Sequence, residues 1–387
     1  MPIQHMYSTI NGILISSLRW IWVLLLLVML FVVISIPRYR FQKFFTSIDF
    51  RGYNGKLPRY IGRAKINKYL MKVRFKSKIP LDPWKKAQPQ IEQFKKRRIY
   101  KIEQPREDIG KTDVYFIQEE LPNFILWNDS FLQEGRKFAV GEGYRGQIIW
   151  DAVSLPHGLV AGATGGGKTA LLRSIVHQAI LKRFNVAVFD FKQGGDFSDV
   201  EREAQKYRDL EKGYGPFLVS DPEGARQLLL ALVVEVRGRM ERFKERGVTN
   251  IDEYNDKGQD QLIPWLVVID EAAEVLDVKT TDKIEKELYS EINQSLRTLA
   301  RISRAAGVHI LMGFIRPDAN VLDGQIKNNL LWRVCGYFAD PAASRIVLDN
   351  DKATELPPQI KGRFFIGEEE AQAYYLPPSP PEDEPAK

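Results

Sequence analysis

The chain has 387 residues, 44% hydrophobic and 27% charged, a balance that excludes a wholly disordered polypeptide and leaves room for more than one domain. A single cysteine, Cys335, excludes an intramolecular disulfide, and its apolar neighbours make it a core thiol. The net charge of +7 is unevenly spread: residues 37–110 carry 21 Lys/Arg against 6 Asp/Glu, and residues 111–387 carry 34 against 43.

The first element is apolar. Trp20 to Ile36 runs 17 residues without a charge, and the apolar character reaches back to Ile13 with only Arg19 intervening. That length predicts a transmembrane helix over about 13–36, with Arg19 near one end and Trp20 and Trp22 at the interface. Ser35-Ile36-Pro37 offers no small-residue cleavage site, which disfavours a removed signal peptide. Arg38, Arg40 and Lys43 follow directly, so the positive-inside rule predicts a single-pass protein of the cell membrane with its bulk in the cytoplasm.

Residues 37–136 alternate basic with aromatic or aliphatic positions, as in Tyr69 to Lys78 and Arg98 to Ile102, a period of two that predicts a linker followed by a small β-rich domain. The block of positive charge suits anionic lipid head groups, a nucleic-acid backbone or a merely solvated linker. From Gly158 onward, short apolar strands alternate with long helices. Strands are expected over 158–161, 186–191, 265–270 and 308–312, helices over 168–184, 222–246 and 282–306, and a helix-strand pair over 320–338. This is the pattern of an α/β domain with a parallel sheet, placed at 137–367. Residues 368–387 read as an acidic, proline-rich disordered tail.

Two motifs carry chemistry. Gly162, Ala163, Thr164, Gly165, Gly166, Gly167, Lys168 and Thr169 match G-x-x-x-x-G-K-[ST] between an apolar strand and a helix. Glycines let the backbone curl its N–H groups toward phosphate oxygens, and the helix adds its positive end. Lys168 is expected on the β and γ phosphates of ATP, and Thr169 on Mg2+. Downstream, the strand Trp265-Leu-Val-Val-Ile ends in Asp270 and Glu271. Asp270 is placed to reach the Mg2+ and Glu271 to orient or deprotonate the attacking water. His157, beside the P-loop strand, reads as a packing or hydrogen-bonding residue. Arg237, Arg239 and Arg242 read as a solvated helix face or subunit contacts.

The order of these and further motifs carries a resemblance. Gly146 to Asp151, Pro156 to Thr169, Phe189 to Asp196, Arg239 to Arg242, Asp270 to Glu274, Arg304 to His309, Arg316-Pro317 and Ser344 to Asp349 resemble the FtsK/SpoIIIE family of DNA translocases. The resemblance implies a RecA-like P-loop motor, a homo-hexameric ring threading double-stranded DNA, and an arginine from the neighbouring subunit completing each ATP site. Arg316 is the first candidate for that arginine and Arg345 the second. Ile315 stands where the family usually has a glutamine, a departure that bears on coupling hydrolysis to movement. One predicted span and a short tail make the chain more similar to TcpA-type conjugative coupling proteins of Gram-positive plasmids and integrative elements, which implies relaxase and secretion-channel partners. Chromosome segregation, protein-secretion ATPase and non-hydrolysing scaffold are the competing expectations. Non-specific phosphate contacts to DNA are expected.

Overall fold

The computed structural model describes residues 36–191, 195–207, 217–258, 260–277, 279–319, 321–322 and 324–378, with residues 22, 23, 25, 28 and 29. The expected transmembrane segment therefore lies largely outside the described residues, as do residues 192–194 and 379–387. Among the described residues, no helix is long and apolar enough to cross a membrane. The chain divides into two compact units, Met1–Glu120 and Leu121–Lys387.

In the first unit, a helix over 36–47 (α1) precedes β1 (Arg59–Lys65), β2 (Leu70–Lys76), α2 (Leu81–Lys86), α3 (Gln88–Lys95), β3 (Ile99–Glu103) and β4 (Lys111–Ile117). The strands form an antiparallel sheet in the order β1-β2-β4-β3. Asn67 shapes the first hairpin, its side-chain oxygen accepting from the N–H groups of Tyr69 and Leu70 at 2.8 and 2.9 Å. Phe41 and Phe45, one turn apart on α1, share a buried face. They meet Phe75 of β2 edge-on at 4.9 and 5.5 Å, and Trp84 of α2 closes the cluster. The apolar positions of the alternating stretches thus point inward and the basic ones outward.

The second unit holds β5 (Ile125–Leu126), β6 (Lys137–Gly143), β7 (Gly146–Asp151), β8 (His157–Ala161), α4 (Lys168–Leu181), β9 (Asn185–Phe189), α5 (Ser198–Tyr207), β10 (Leu218–Val219), α6 (Pro222–Arg246) and α7 (Ile251–Lys257). It continues with β11 (Trp265–Ile269), α8 (Ala273–Leu276), α9 (Lys283–Ile302), β12 (Val308–Phe314), α10 (Gly324–Asn329), β13 (Trp332–Gly336), α11 (Pro341–Leu348), β14 (Arg363–Ile366) and β15 (Glu369–Tyr375). Its sheet runs β10-β9-β11-β12-β8-β13-β14-β15-β6-β7, parallel as far as β13 and antiparallel beyond, with β5 beside β15.

Both faces of the parallel strands are buried, which is why they read as unbroken apolar runs. On one face, Ala187, Phe189, Val267, Ile269, Ile310 and Met312 pack against α6 and α9. On the other, Val186, Val188, Val268 and Leu311 pack against α4. The α6 boundaries match the expected helix: Asp221 caps it by accepting the Gly224 N–H at 2.8 Å, and Gly247 ends it in the left-handed conformation. Cys335 is buried as expected, and burial pushes its thiol up to about 12.

Three expectations are corrected. Residues 121–136 belong with the motor rather than with the basic unit, because β5 pairs with β15 and Trp127 packs on Tyr374. Residues 369–375 are not tail: β15 lies between β14 and β6, with Ala371, Ala373 and Tyr374 buried. Its paired glutamates at the start disguised a strand whose partners are remote in sequence. Arg239 is not on a solvated face. It is buried, donating to the carbonyls of Ala306 and Ile263 at 2.8 and 2.9 Å and to Glu235 at 2.7 Å, and so ties α6 to the segments entering β11 and β12.

Candidate nucleotide site

The loop between β8 and α4 sits at the carboxyl ends of the parallel strands, the edge where open α/β sheets bind ligands. The Gly162 N–H donates to the Phe314 carbonyl of β12 at 3.1 Å, and the Gly166 N–H donates back to the Ala163 carbonyl at 2.9 Å. Gly165 and Gly167 have φ of 76° and 101°, a conformation costly for any side-chain-bearing residue. Gly167 faces a second demand. A Cβ there would lie 2.8 Å from the Gly362 nitrogen, and the Gly362 N–H donates to the Gly166 carbonyl at 2.9 Å. The turn before β14 therefore braces the P-loop from outside, through a glycine that no sequence motif marks.

Lys168 opens α4 and points across to β11. Its ammonium donates to the main-chain carbonyl of Asp270 and to Asp270 Oδ1, the latter at 3.1 Å, and stands 3.8 Å from Glu271 Oε2. Thr169 Oγ1 donates to the same Asp270 Oδ1 at 3.1 Å. Lys168, Asp270 and Glu271 are only 5%, 5% and 7% exposed, so this charge cluster is largely out of water, where each interaction is stronger. Residues a hundred positions apart are joined because β11 is separated from β8 by β12 alone.

Gly313 makes that approach possible. A Cβ there would lie 2.2 Å from the Asp270 carbonyl oxygen and 3.0 Å from Lys168 Nζ. Glu271 is held by the Ile315 N–H, which donates to its Oε2 at 2.9 Å. The departure at Ile315 is thus at a position whose main chain, whatever the side chain, fixes the second carboxylate.

The two arginines are placed differently. Arg345 of α11 forms a two-pronged pair, at 2.5 and 2.8 Å, with Asp351 just beyond the helix end. Arg316 is exposed directly after Ile315, and among the described residues no hydrogen bond or ion pair joins it to the four residues above. His157 has the expected structural part. It is buried, its Nδ1 accepts the Ile310 N–H at 3.1 Å, and burial pushes its pKa down to about 4.

The donor set fits a magnesium nucleotide. Thr169 and Asp270 bring two hard oxygens to one point and leave the remaining positions for phosphate and water oxygens, the arrangement Mg2+ prefers. Among the described residues, no group of three or more His, Cys, Asp or Glu side chains is arranged to hold a metal by itself.

Comparison with known proteins agrees with this geometry. Residues 133–319 match the model of the FtsK/SpoIIIE family. The structure of the pCW3 conjugation coupling protein TcpA, in a monomer form with ATPγS, is 33% identical, covers 88% of this chain and 95% of its own, and superposes with a TM-score of 0.63. DNA translocase FtsK of Oceanobacillus iheyensis is 27% identical over 262 residues, 60% of this chain and 31% of the relative. DNA translocase SpoIIIE of Bacillus subtilis is 30% identical over 223 residues, 54% of this chain and 26% of the relative. The chain thus spans about a quarter to a third of the length of these curated relatives. On the match across nearly the whole of TcpA and on the family motif that encloses the P-loop and both carboxylates, the chain belongs to the FtsK/SpoIIIE family of P-loop ATPases.

Proposed function

We propose that the chain is a membrane-anchored, ATP-driven translocase of double-stranded DNA that serves as a coupling protein in conjugative transfer, working as a homo-hexamer. The observation that carries the motor reading is the convergence of Lys168, Thr169, Asp270 and Glu271 beneath the P-loop. Likeness to TcpA over nearly its whole length supports the conjugative role above chromosome segregation, since the curated translocases are matched over about a quarter to a third of theirs. A relaxase and the proteins of a secretion channel are the partners this reading implies. The apolar segment 13–36 supplies the anchor, which puts the rest of the chain on the cytoplasmic side with the ATP.

The P-loop N–H groups and Lys168 bind and orient the phosphates, and Lys168 must leave Asp270 to do so. Thr169 and Asp270 would hold Mg2+, whose charge would offset that of the phosphate oxygens. Glu271, fixed by the Ile315 N–H, orients the attacking water and receives its proton. An arginine from the neighbouring subunit, Arg316 before Arg345, stabilises charge developing on the transferred phosphoryl group. Arg316 is exposed and unpaired among the described residues, whereas Arg345 must first give up Asp351.

The deciding measurement is ATP hydrolysis by the chain lacking residues 1–36, with and without double-stranded DNA. DNA-stimulated turnover that is lost in Lys168→Ala and reduced by about a hundredfold or more in Glu271→Gln, with ATP binding retained in the latter, supports the motor. Tight ATP binding without turnover in the presence of DNA would make the chain a scaffold.

A further inference from the structure

The first unit contains a cavity of about 280 Å3 that takes no part in nucleotide binding. Arg40 of α1, Arg63 of β1 and Lys95 of α3 line it, and no carboxylate does. Some cations of the unit are neutralised: Arg74 pairs with Asp113, Lys101 with Glu103 and Lys111 with Asp108. Among the described residues, Arg40, Arg63 and Lys95 have no such partner. Lys95 is half-buried, with its ammonium 5.4 Å from the Phe41 ring centroid and 5.9 Å from that of Phe116. Burial first, and then the charges of Arg40, Arg63 and Arg97, hold it below the ordinary lysine range. Three uncompensated cations brought together on a partly dry surface repel one another, and an anion seated among them relieves that repulsion.

The remainder of the lining selects the anion. Phe41, Tyr60, Phe94 and Met71 give the cavity an apolar wall, with Phe41 stacked on Tyr60 at 5.7 Å and edge-on to Phe94 at 5.4 Å. A free phosphate gains nothing from such a wall, and duplex DNA gains little, because its bases are already stacked inside the helix and only its phosphates face outward. A phospholipid does gain, because its glycerol and first methylenes follow directly on the phosphate. Ile36 and Pro37 line the same cavity and close the apolar stretch Trp20–Ile36. We propose that Arg40, Arg63 and Lys95 form a binding site for the headgroup phosphate of an anionic phospholipid, seating the first unit on the membrane surface. This rests on the reading of 13–36 as a membrane anchor.

The test is native mass spectrometry of the full chain in neutral detergent, titrated with phosphatidylglycerol, phosphatidylcholine, sodium phosphate or a short DNA duplex. Phosphatidylglycerol should bind about tenfold more tightly than phosphatidylcholine, and Arg63→Gln and Arg40→Gln should each remove most of that preference. Both arginines are exposed, so these variants should keep the wild-type melting temperature and ATP affinity. Lys95→Gln, which also loses contacts with two rings, is the third variant. Equal binding of the two lipids, or variants that bind phosphatidylglycerol as the wild type does, overturns the site. Inorganic phosphate binding as tightly as phosphatidylglycerol makes it a free-anion site, and displacement of the lipid by duplex DNA reassigns it to nucleic acid; either overturns the proposal. Alkaline extraction of membranes tests the anchor separately, since release of the chain would sink the anchor and leave the lipid selectivity to be read on its own.

Discussion

Gly313 shows how much a single missing carbon decides. The ammonium of Lys168 reaches Asp270 only because nothing projects from β12 into that space, and a methyl group there would sit 2.2 Å from the Asp270 carbonyl oxygen. Gly313→Ala is therefore expected to push β11 and β12 apart at their carboxyl ends and to weaken ATP binding by about tenfold or more, with little change in helix content, checked by nucleotide titration beside circular dichroism. His157 makes a different prediction. Its folded pKa of about 4 lies below the ordinary 6.5, so between those values the unfolded chain binds a proton that the folded one does not. The stability that the neutral imidazole contributes is thus present above pH 6.5 and is lost as the pH falls toward 4. His309, also buried and held well below the usual range by burial and then by Arg136, acts in the same direction. Urea unfolding at pH 7, 6 and 5 should show the unfolding constant rising with acidity by up to about tenfold per pH unit for each histidine. A flat profile would mean that the Ile310 N–H does not depend on a neutral His157.

At the scale of elements, β14 and β15 bind the late part of the chain to the P-loop side of the sheet. Arg363 of β14 is buried and donates to Gln372 at 3.0 Å, to Glu370 at 2.7 Å, and to the carbonyls of Leu121 and Pro122 at 3.2 and 3.0 Å. Arg363→Met removes the cation and leaves those acceptors unsatisfied, which should cost about 3 kcal/mol in urea unfolding. A loss under 1 kcal/mol would show that water replaces the guanidinium. Ending the chain at Gly367 removes β15 and exposes the facing edges of β14 and β6. Unpaired edges of that kind invite aggregation, and the shortened chain should fail to yield soluble, ATP-binding protein. Soluble protein that still binds ATP would mean that 369–375 is dispensable, as expected of a tail.

For the molecule as a whole, charge is divided as labour is. The basic residues concentrate in the first unit, whereas the second, which contains the nucleotide site, carries an excess of acid. DNA grasped through phosphates should bind with little sequence preference and with affinity that falls by about tenfold or more between 50 and 200 mM salt. Fluorescence anisotropy with two unrelated duplexes across that range checks it, and a salt-resistant preference for one duplex would contradict phosphate-led binding.

The parallel strands, the long helices and the four residues that converge beneath the P-loop are legible in the amino-acid order. A strand buried on both faces is an unbroken apolar run, and the P-loop, with glycines that only its turn requires, is a local pattern. Lys168, Thr169, Asp270 and Glu271 were legible because each ends or begins such an element. What depends on remote partners emerges only once the chain is folded. β5 and β15 stand out as strands only then, since each acquires its meaning from pairing with segments remote in sequence. Folding turned Arg239 from a surface cation into a buried clamp on main-chain carbonyls, and it gave Arg363 the same part. It gave Gly362 and Gly313 their purpose, which is the room they leave for atoms far away in sequence. It also moved the meaning of Ile315 from its side chain to its N–H, because a backbone donor leaves no mark in the amino-acid code.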